Sequence, residues 1–405
     1  MIVPRIIKML KGKKIVLGVT GGIAAYKAAE LVRELVRSGA EVFVVMTRSA
    51  QEFITPLTLQ TLSGNKVATE LFSLLEESEI GHISLADRAD ILVIAPATAN
   101  MIGKIAGGIA DDMLSTVVMA TQAPVLLAPA MNVHMWENSI TQENIQKLRA
   151  RGYHFIDPEA GELACGYEGK GRLAEIPAIV EEVQTLLSPK DYSGETILVT
   201  AGPTEEPIDP VRFLSNRSSG KMGFAVSRAA RRRGAQVTLV SGPTALTPPP
   251  HLRFIPVRTA AQMREAVLEN LQAASIVVMA AAVSDFRPQG TREEKIKKSK
   301  ANLNLPLELN PDILYEAGQK KGTRLLIGFA AETHDLLQNA RQKLAEKNLD
   351  LIVANDVSLP GAGFAADTNI VKLIDRRGNI EELPLMGKEE VADLILDRLV
   401  KLRTQ

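Results

Sequence analysis

The stretch Lys14–Lys27, KIVLGVTGGIAAYK, decides how the first half of this chain folds. Its opening KIVLGVT is a short apolar run ending in Gly21-Gly22, and from Ala24 to Arg37 the residues Ala28, Leu31, Leu35 and Val36 recur at helical spacing. Gly39 stops that helix. A strand, a glycine turn and a helix in this order open a parallel sheet, because parallel neighbours need a crossover between them. Glu41–Thr47 predicts the next strand, and Ile91–Ala95 and Pro124–Ala128 repeat the pattern between helical stretches. A doubly wound sheet is expected, with ligands at the carboxyl ends of its strands.

Outward from there, Ser188–Glu195 (SPKDYSGE) breaks the alternation with turn formers and charges, and a new strand, Thr196–Thr200, follows at once. Behind it the pattern predicts helix Lys221–Arg233, strand Gln236–Ser241, helix Ala260–Ala274, strands Ser275–Ala280 and Arg324–Phe329, helix Thr333–Lys347 and strand Asp350–Ala354. The second half is therefore also expected to be doubly wound. We place a domain boundary near Pro189, dividing 1–190 from 191–405. The halves share only their strand-to-glycine turns, VTGG and VTAG, which indicates common architecture and does not require duplication.

Bulk properties agree with two such domains. At 405 residues the chain is long for one core. Apolar residues at 46% with aromatics at 4% suit buried aliphatic strands between helices. Forty-seven basic residues balance forty-seven acidic ones, so no global field draws nucleic acid or an anionic membrane, and an anionic ligand must be caught locally. The single cysteine, Cys165, excludes an intrachain disulfide and a multi-thiolate metal site. The N-terminal residues, broken by Pro4, lack a signal-peptide pattern, and no stretch is apolar enough to span a bilayer. A cytoplasmic protein is expected.

Four segments of the first half carry chemistry. The Gly18–Lys27 turn brings backbone amides and a helix start within reach of a phosphate, although tight packing explains such a turn equally well and its spacing is not the dinucleotide fingerprint. In Ala95–Leu114 a strand ends in Pro96 and small residues, where a flat ring can approach the backbone; Thr98 and Asn100 also suit helix capping. Asn132 in APAMN suits a carboxylate-binding amide or a turn. Gly161–Arg172, GELACGYEGKGR, has the composition of a mobile lid around Cys165.

Together these segments resemble the flavin-dependent cysteine decarboxylases, and most closely the decarboxylase half of the bifunctional phosphopantothenoylcysteine decarboxylase/phosphopantothenate–cysteine ligase family of coenzyme A biosynthesis. The resemblance implies a flavodoxin-like flavoprotein domain. It assigns His82 in GHISL, Asn132 in PAMN and Cys165 in ACGYEGKGR to catalysis, as base or orienting group, carboxylate binder and proton donor. It assigns FMN to Gly21, Gly22, Ile23, Thr47, Pro96, Thr98 and Asn100. The implied reaction oxidises the thiol-bearing carbon of 4'-phosphopantothenoylcysteine so that the adjacent carboxylate can leave as carbon dioxide, and reduced FMN then returns the hydride.

In the second half, Gly202–Gly223 is too long and polar for a plain connection, and Ser218-Ser219-Gly220-Lys221 resembles a phosphate cradle at a helix start. Capping by Ser218 or Ser219 is the simpler reading of that piece alone. Ala280–Lys298 leaves a strand end as a charged loop suited to an anion-binding flap. Lys343 and Lys347, four apart, share a helix face.

The set SNRSSGKMG, AAAVSDFR, EKIKK, NPDIL, GFAAET and ANDV resembles the ligase half of the same family, and implies a Rossmann-like nucleotide-binding domain that joins cysteine to 4'-phosphopantothenate through an acyl-cytidylate. The resemblance places Asn216 and Arg212 at the intermediate and Lys295 at the triphosphate. It places Ala281, Asp285, Lys295, Pro311, Asp312, Ile313, Leu314, Phe329, Lys343 and Lys347 at CTP. Arg217 and Ser284-Asp285-Phe286 are substitutions that leave these contacts in place, and the residues before Lys13 are expected to form a flexible or helical cap. Mg2+ is expected to ride on the nucleotide, and the family implies a homo-oligomer of trimeric flavoprotein units and dimeric ligase domains. A flavin-binding module without catalysis conflicts with His82, Asn132 and Cys165 occurring together. A nicotinamide dehydrogenase lacks GxGxxG.

Overall fold

The structure, a computed structural model, describes residues 9–71, 81–162, 168–297, 304–332, 335–356, 363 and 366–403. The chain divides into two compact units that part between Ser188 and Pro189. The segment before Lys13, expected as a cap, falls largely outside the described residues.

The first unit is built on five strands, β1 (Lys14–Val19), β2 (Glu41–Met46), β3 (Ile91–Ala97), β4 (Val125–Pro129) and β5 (His154–Phe155). They lie in the order β2-β1-β3-β4-β5, all parallel. This is the flavodoxin-like doubly wound order, whose direction reverses between β1 and β3. All seven residues of β3 are buried, as a central strand covered on both faces requires. The helix after β1 begins later than the apolar spacing predicts. Ile23–Lys27 is a 3-10 turn and the α-helix runs Ala28–Arg37, burying Ala28, Leu31, Val32 and Leu35. Ala24 and Ala25 carry little facing information, and a tighter turn at a helix start leaves the same apolar face inward. The described flanks of the predicted lid also take regular form. β6 (Glu159–Glu162) and β7 (Glu168–Arg172) are an antiparallel ribbon, and Cys165, between them in sequence, lies outside the described residues.

The second unit contains β8 (Thr196–Ala201), a small ribbon of β9 (Glu205–Pro207) and β10 (Phe213–Ser215), then β11 (Gln236–Ser241), β12 (Arg253–Pro256) and β13 (Ile276–Met279). A second ribbon pairs β14 (Phe286–Pro288) with β15 (Leu307–Leu309), and β16 (Leu325–Glu332), β17 (Leu351–Asp356), β18 (Thr368–Asp375) and β19 (Ile380–Gly387) complete the set. The main sheet runs β12-β11-β8-β13-β16-β17-β18-β19. Its first six strands are parallel in the Rossmann order, reversing between β8 and β13.

The sequence reading missed the antiparallel edge, β18 and β19. Its signal is the turn Asp375–Asn379, where the Asp375 carboxylate accepts the amides of Arg377 and Asn379 at 2.9 and 3.0 Å. The helix after β16 is shorter than predicted, Leu336–Glu346.

The start of this unit is anchored to its end. Tyr192 is buried and donates to the Leu396 carbonyl at 2.6 Å. The guanidinium groups of Arg233 and Arg403 lie 5.1 and 4.4 Å from its ring centroid. Arg233 also pairs with Asp191 and Asp397, so its buried charge is compensated on both sides.

Candidate active sites

In the first unit the carboxyl ends of β1 and β3 are joined by one hydroxyl. Thr20 donates to the Pro96 carbonyl at 2.8 Å and its oxygen accepts the Thr98 amide at 3.1 Å. Beside this joint lies a cavity of 560 Å³ lined by Gly21, Gly22, Ile23, Pro96, Thr98 and Asn132. That volume suits a cofactor-sized ligand. Gly21 packs directly on Ser49, since a Cβ there would lie 2.4 Å from the Ser49 Cβ. Gly22 is open, with only Thr98 Cγ2 at 3.9 Å. The ribbon closes another side, as Met131 donates its amide to the Gly171 carbonyl at 3.0 Å.

Of the other expected residues, Thr47, Asn100 and His82 do not line this cavity. Thr47 accepts from the Ala50 amide and caps the 3-10 turn Arg48–Glu52. Asn100 is exposed in the first turn of helix Ala99–Gly107, which Thr98 caps. His82 is half-buried as the first residue of helix His82–Arg88 and does not line the cavity. Asn132 caps its own helix, accepting from the His134 amide at 2.9 Å. Sequence reasoning missed Tyr26, Met131, Met135, Arg172 and Leu173, which line the same cavity. Met131 and Arg172 sat within quoted motifs, but only folding shows that the two loops meet. The carboxylate pair Asp111 and Asp112 serves the fold: Lys104 bridges both at 2.6 and 2.8 Å, and Asp112 caps the helix Met113–Ala120.

In the second unit a cavity of 730 Å³ opens at the β8/β13 reversal. Ala281, Asp285, Pro311–Leu314, Phe329, Lys343 and Lys347 line one part of it, and Asn216 and Ser218–Met222 another. Local bonds set these positions. Asn216 Nδ2 donates to the Val283 carbonyl at 2.8 Å, and Asn310 Nδ2 to the Ser284 carbonyl at 2.9 Å. Asp312 caps the helix Ile313–Gln319 and pairs with Lys347 at 2.9 Å. The helix Lys221–Arg232 is entered through Gly220 at φ 74°, with no side-chain cap, so neither Ser218 nor Ser219 caps it as the simpler reading held. Ser218 accepts the Gly220 amide at 3.3 Å. Thr200, Asn355, Asn369 and Lys388 also line the cavity and were not assigned from sequence, although Asn355 lies in the quoted ANDV.

Two expected residues do not line this cavity: Lys295, which is exposed, and Arg212. Arg212 donates to the Ile296 carbonyl at 3.2 Å and to Asp209 at 3.3 Å. Buried Asp209 in turn accepts the amides of Val211, Arg212 and Ile296 at 2.8, 2.9 and 3.1 Å. Arg212 and Asp209 thus hold the segment that carries Lys295. Burial pulls the Asp209 carboxyl upward, but the three amides and the Arg212 charge outweigh it and set it below the ordinary carboxylate range. Its support is therefore full above the ordinary value, about pH 3.9, and disappears as pH falls through the lowered one. Asp209→Asn should slow ligation about ten-fold at neutral pH, the scale of losing one charged hydrogen-bonding group, while leaving decarboxylation unchanged. Equal ligation rates in the two proteins would remove Asp209 from this role.

Among the described residues no group of three or more His, Cys, Asp or Glu is placed to hold a metal ion, and no helix is long and apolar enough to cross a membrane.

A family model described as Flavoprotein matches residues 6–188, and one described as DNA/pantothenate metabolism flavoprotein C-terminal domain matches 192–402. The chain is 50% identical over 406 residues to the coenzyme A biosynthesis bifunctional protein CoaBC of Bacillus subtilis (strain 168), covering 98% of this chain and 99% of that one. The chain belongs to the CoaBC family. The CoaBC of Escherichia coli (strain K12) is 47% identical over 396 residues, covering 96% of this chain and 97% of the relative. A crystal structure of the C-terminal domain of a CoaBC is 43% identical with a TM-score of 0.47, covering 53% of this chain and 98% of that one. As a CoaBC protein carrying both halves, the chain is a bifunctional enzyme of coenzyme A biosynthesis, with a flavoprotein decarboxylase unit and a ligase unit.

Proposed function

We propose that the two cavities are the two active sites, used in the reverse of chain order. In the second unit, residues 191–405, 4'-phosphopantothenate is activated by CTP with loss of pyrophosphate, and the amine of cysteine then displaces CMP. In the first unit, residues 1–190, the resulting 4'-phosphopantothenoylcysteine loses carbon dioxide to give 4'-phosphopantetheine. The observation that carries this reading is that each sheet opens a cavity at its own strand-order reversal, Gly21, Gly22, Pro96, Thr98 and Asn132 lining the first and Asn216, Asp285, Phe329, Lys343 and Lys347 the second.

FMN fits the first cavity. Its glycine wall at Gly22 is open to a flat ring, and Ile23, Met131, Met135 and Leu173 supply apolar cover. When bound, FMN supplies the two-electron chemistry that makes the carboxylate a leaving group. Asn132, on the cavity wall, binds the substrate carboxylate, and Cys165 donates the proton that completes the product. His82 lies off this wall, while Ile23 and Tyr26 are exposed on the cavity rim at 61% and 59%. Both facts support a homo-oligomer in which copies of the flavoprotein unit, three by family likeness, share the site; pairing of the ligase units rests on the family likeness alone. A mass of one chain by light scattering would rule this out.

In the second cavity, Phe329, the Asn310–Asp312 segment and the helix start at Ile313 and Leu314 frame the cytosine end, and Lys343 and Lys347 lie beside it. Asn216 positions the acyl-cytidylate, and Lys295 reaches the triphosphate from the segment that Asp209 and Arg212 hold. Mg2+ rides on the nucleotide phosphates, so chelation with EDTA should stop CMP release. A cytoplasmic enzyme accords with these soluble substrates.

The test uses the full chain with CTP, cysteine and 4'-phosphopantothenate. Purified protein should be yellow and should release CMP, pyrophosphate and carbon dioxide. Cys165→Ser should stop formation of 4'-phosphopantetheine, holding carbon dioxide release to about one per bound FMN, and leave CMP release intact, whereas Lys295→Gln should slow CMP release itself. A colourless protein that FMN cannot reconstitute, or unchanged ligation in Lys295→Gln, would overturn the corresponding half.

A further inference from the structure

Lys388 occupies a position that folding stability alone disfavours. It is the first residue of the helix Lys388–Arg403, where the helix end carries partial positive charge and a cation is repelled. It is only 7% exposed, and burial of an ammonium is costly. It also faces a second ammonium: burial, and after it the charge of Lys221, hold the Lys388 amine below the ordinary lysine range, and Asp367 only partly offsets them. Asp367 itself is engaged by Lys221 at 2.6 Å. Three unfavourable terms converge on one side chain, and that side chain lines the ligase cavity together with Lys221, Ser218 and Ser219. Convergence of this kind marks a group retained for a ligand.

The neighbourhood shows how it is held. Lys388 donates to the Ala366 carbonyl at 2.5 Å and reaches the Gly363 carbonyl at 3.5 Å, and Gly363 also lines the cavity. Its backbone amide donates to the Asp367 carbonyl at 3.0 Å. These carbonyls help to hold the ammonium in place against the repulsion from Lys221. An anion between the two lysines would remove it. The site also lies at the start of the first crossover helix beside the β8/β13 reversal, where a nucleotide's phosphates sit in sheets of this order.

We propose that Lys388 is a phosphate-binding residue of the ligase cavity, closing with Lys221 on one phosphate group of a substrate. Two substrates bring such a group: CTP through its polyphosphate tail and 4'-phosphopantothenate through its monoester. The inference rests on the ligase reading of this cavity.

The experiment compares the full chain with its Lys388→Met, Lys388→Arg and Lys221→Met variants, following CMP formation while CTP, 4'-phosphopantothenate and cysteine are varied in turn. Losing a charged partner should raise one phosphate-bearing substrate's KM roughly ten- to a hundred-fold. The KM for cysteine should stay within two-fold, Lys388→Arg should recover most of the loss, and Lys221→Met should raise the same substrate's KM. A rise for CTP, with inorganic tripolyphosphate raising the melting temperature of the parent protein and not of Lys388→Met, assigns the nucleotide tail. A rise for 4'-phosphopantothenate, with the preference over pantothenate reduced, assigns the monoester. If Lys388→Met does not fold, Lys388→Gln takes its place, and Lys221→Met still reports which KM moves. All three KM values unchanged, all raised alike, or different substrates affected by the two lysines would overturn the proposal. A parent protein that forms no CMP would instead overturn the ligase reading.

Discussion

Gly242→Ala should abolish ligation by unfolding the ligase unit. A Cβ at this position would lie 1.6 Å from the Pro203 carbonyl oxygen and 2.8 Å from its carbon, both backbone atoms that no rotamer change can move aside. The two segments are also tied together around the contact. Gly242 donates to the Ala201 carbonyl at 3.0 Å, and Ala282 donates to the Gly202 carbonyl at 2.9 Å. Admitting a methyl group therefore means parting the carboxyl ends of β8, β11 and β13, the place where the cavity forms. Overpacking costs about 1–3 kcal/mol when side chains absorb it, and more where backbone must shift. A cost of about 3 kcal/mol or more is a large share of a unit's stability. Urea unfolding should show the ligase transition shifted or missing and CMP release lost, while the flavin colour persists. A variant with parent-like unfolding and ligation would show that the close approach of these segments is not required.

Gly21→Ala and Gly22→Ala should separate folding from flavin retention in the first unit. At Gly21 the added carbon would meet the Ser49 Cβ at 2.4 Å and the Ser49 carbonyl carbon at 2.7 Å, so the turn must swing away from its neighbour. That variant should lose both stability, by about 2–3 kcal/mol, and flavin. Gly22 has φ −177°, an extended conformation open to any residue, and meets nothing closer than 3.9 Å. Its alanine variant should unfold like the parent and still lose flavin affinity about ten-fold or more, because the methyl group fills space where the ring approaches the backbone. Fluorescence of released flavin against a denaturation curve reads both quantities. Undiminished flavin content in Gly22→Ala would show that no ring approaches this glycine.

The strand and helix pattern of both halves was legible because burial on both faces of a parallel sheet imposes continuous apolar runs, as in β3. The antiparallel edge was not: β18 alternates only partly, and β19 exposes most of its first residues, so neither resembles a fully buried strand. The same contrast holds at the sites. Several cavity-lining residues assigned from motifs stand at or just beyond strand ends, as Gly21, Pro96 and Ala281 do, and a strand end is visible in a sequence. Lys388 follows the unrecognised edge strand, and Leu173 follows a ribbon that sequence reading took for a loop, so both were missed.

By itself, the sequence determined that two parallel sheets stand in series, each opening with a strand and a glycine turn, because the periodicity and the turn chemistry are local. KIVLGVTGG and TILVTAG are sufficient for that. Only the tertiary structure decided which loops share a cavity. Gly22 meets the reach of Thr98, Met131 and Leu173, and Lys221 faces Lys388, 167 positions along the chain, because strand order and crossovers fix which strand ends become neighbours. It also decided that Arg212 and Asp209 hold the Lys295 segment and do not line the cavity. Those relations depend on packing between distant segments, and no local spacing encodes them.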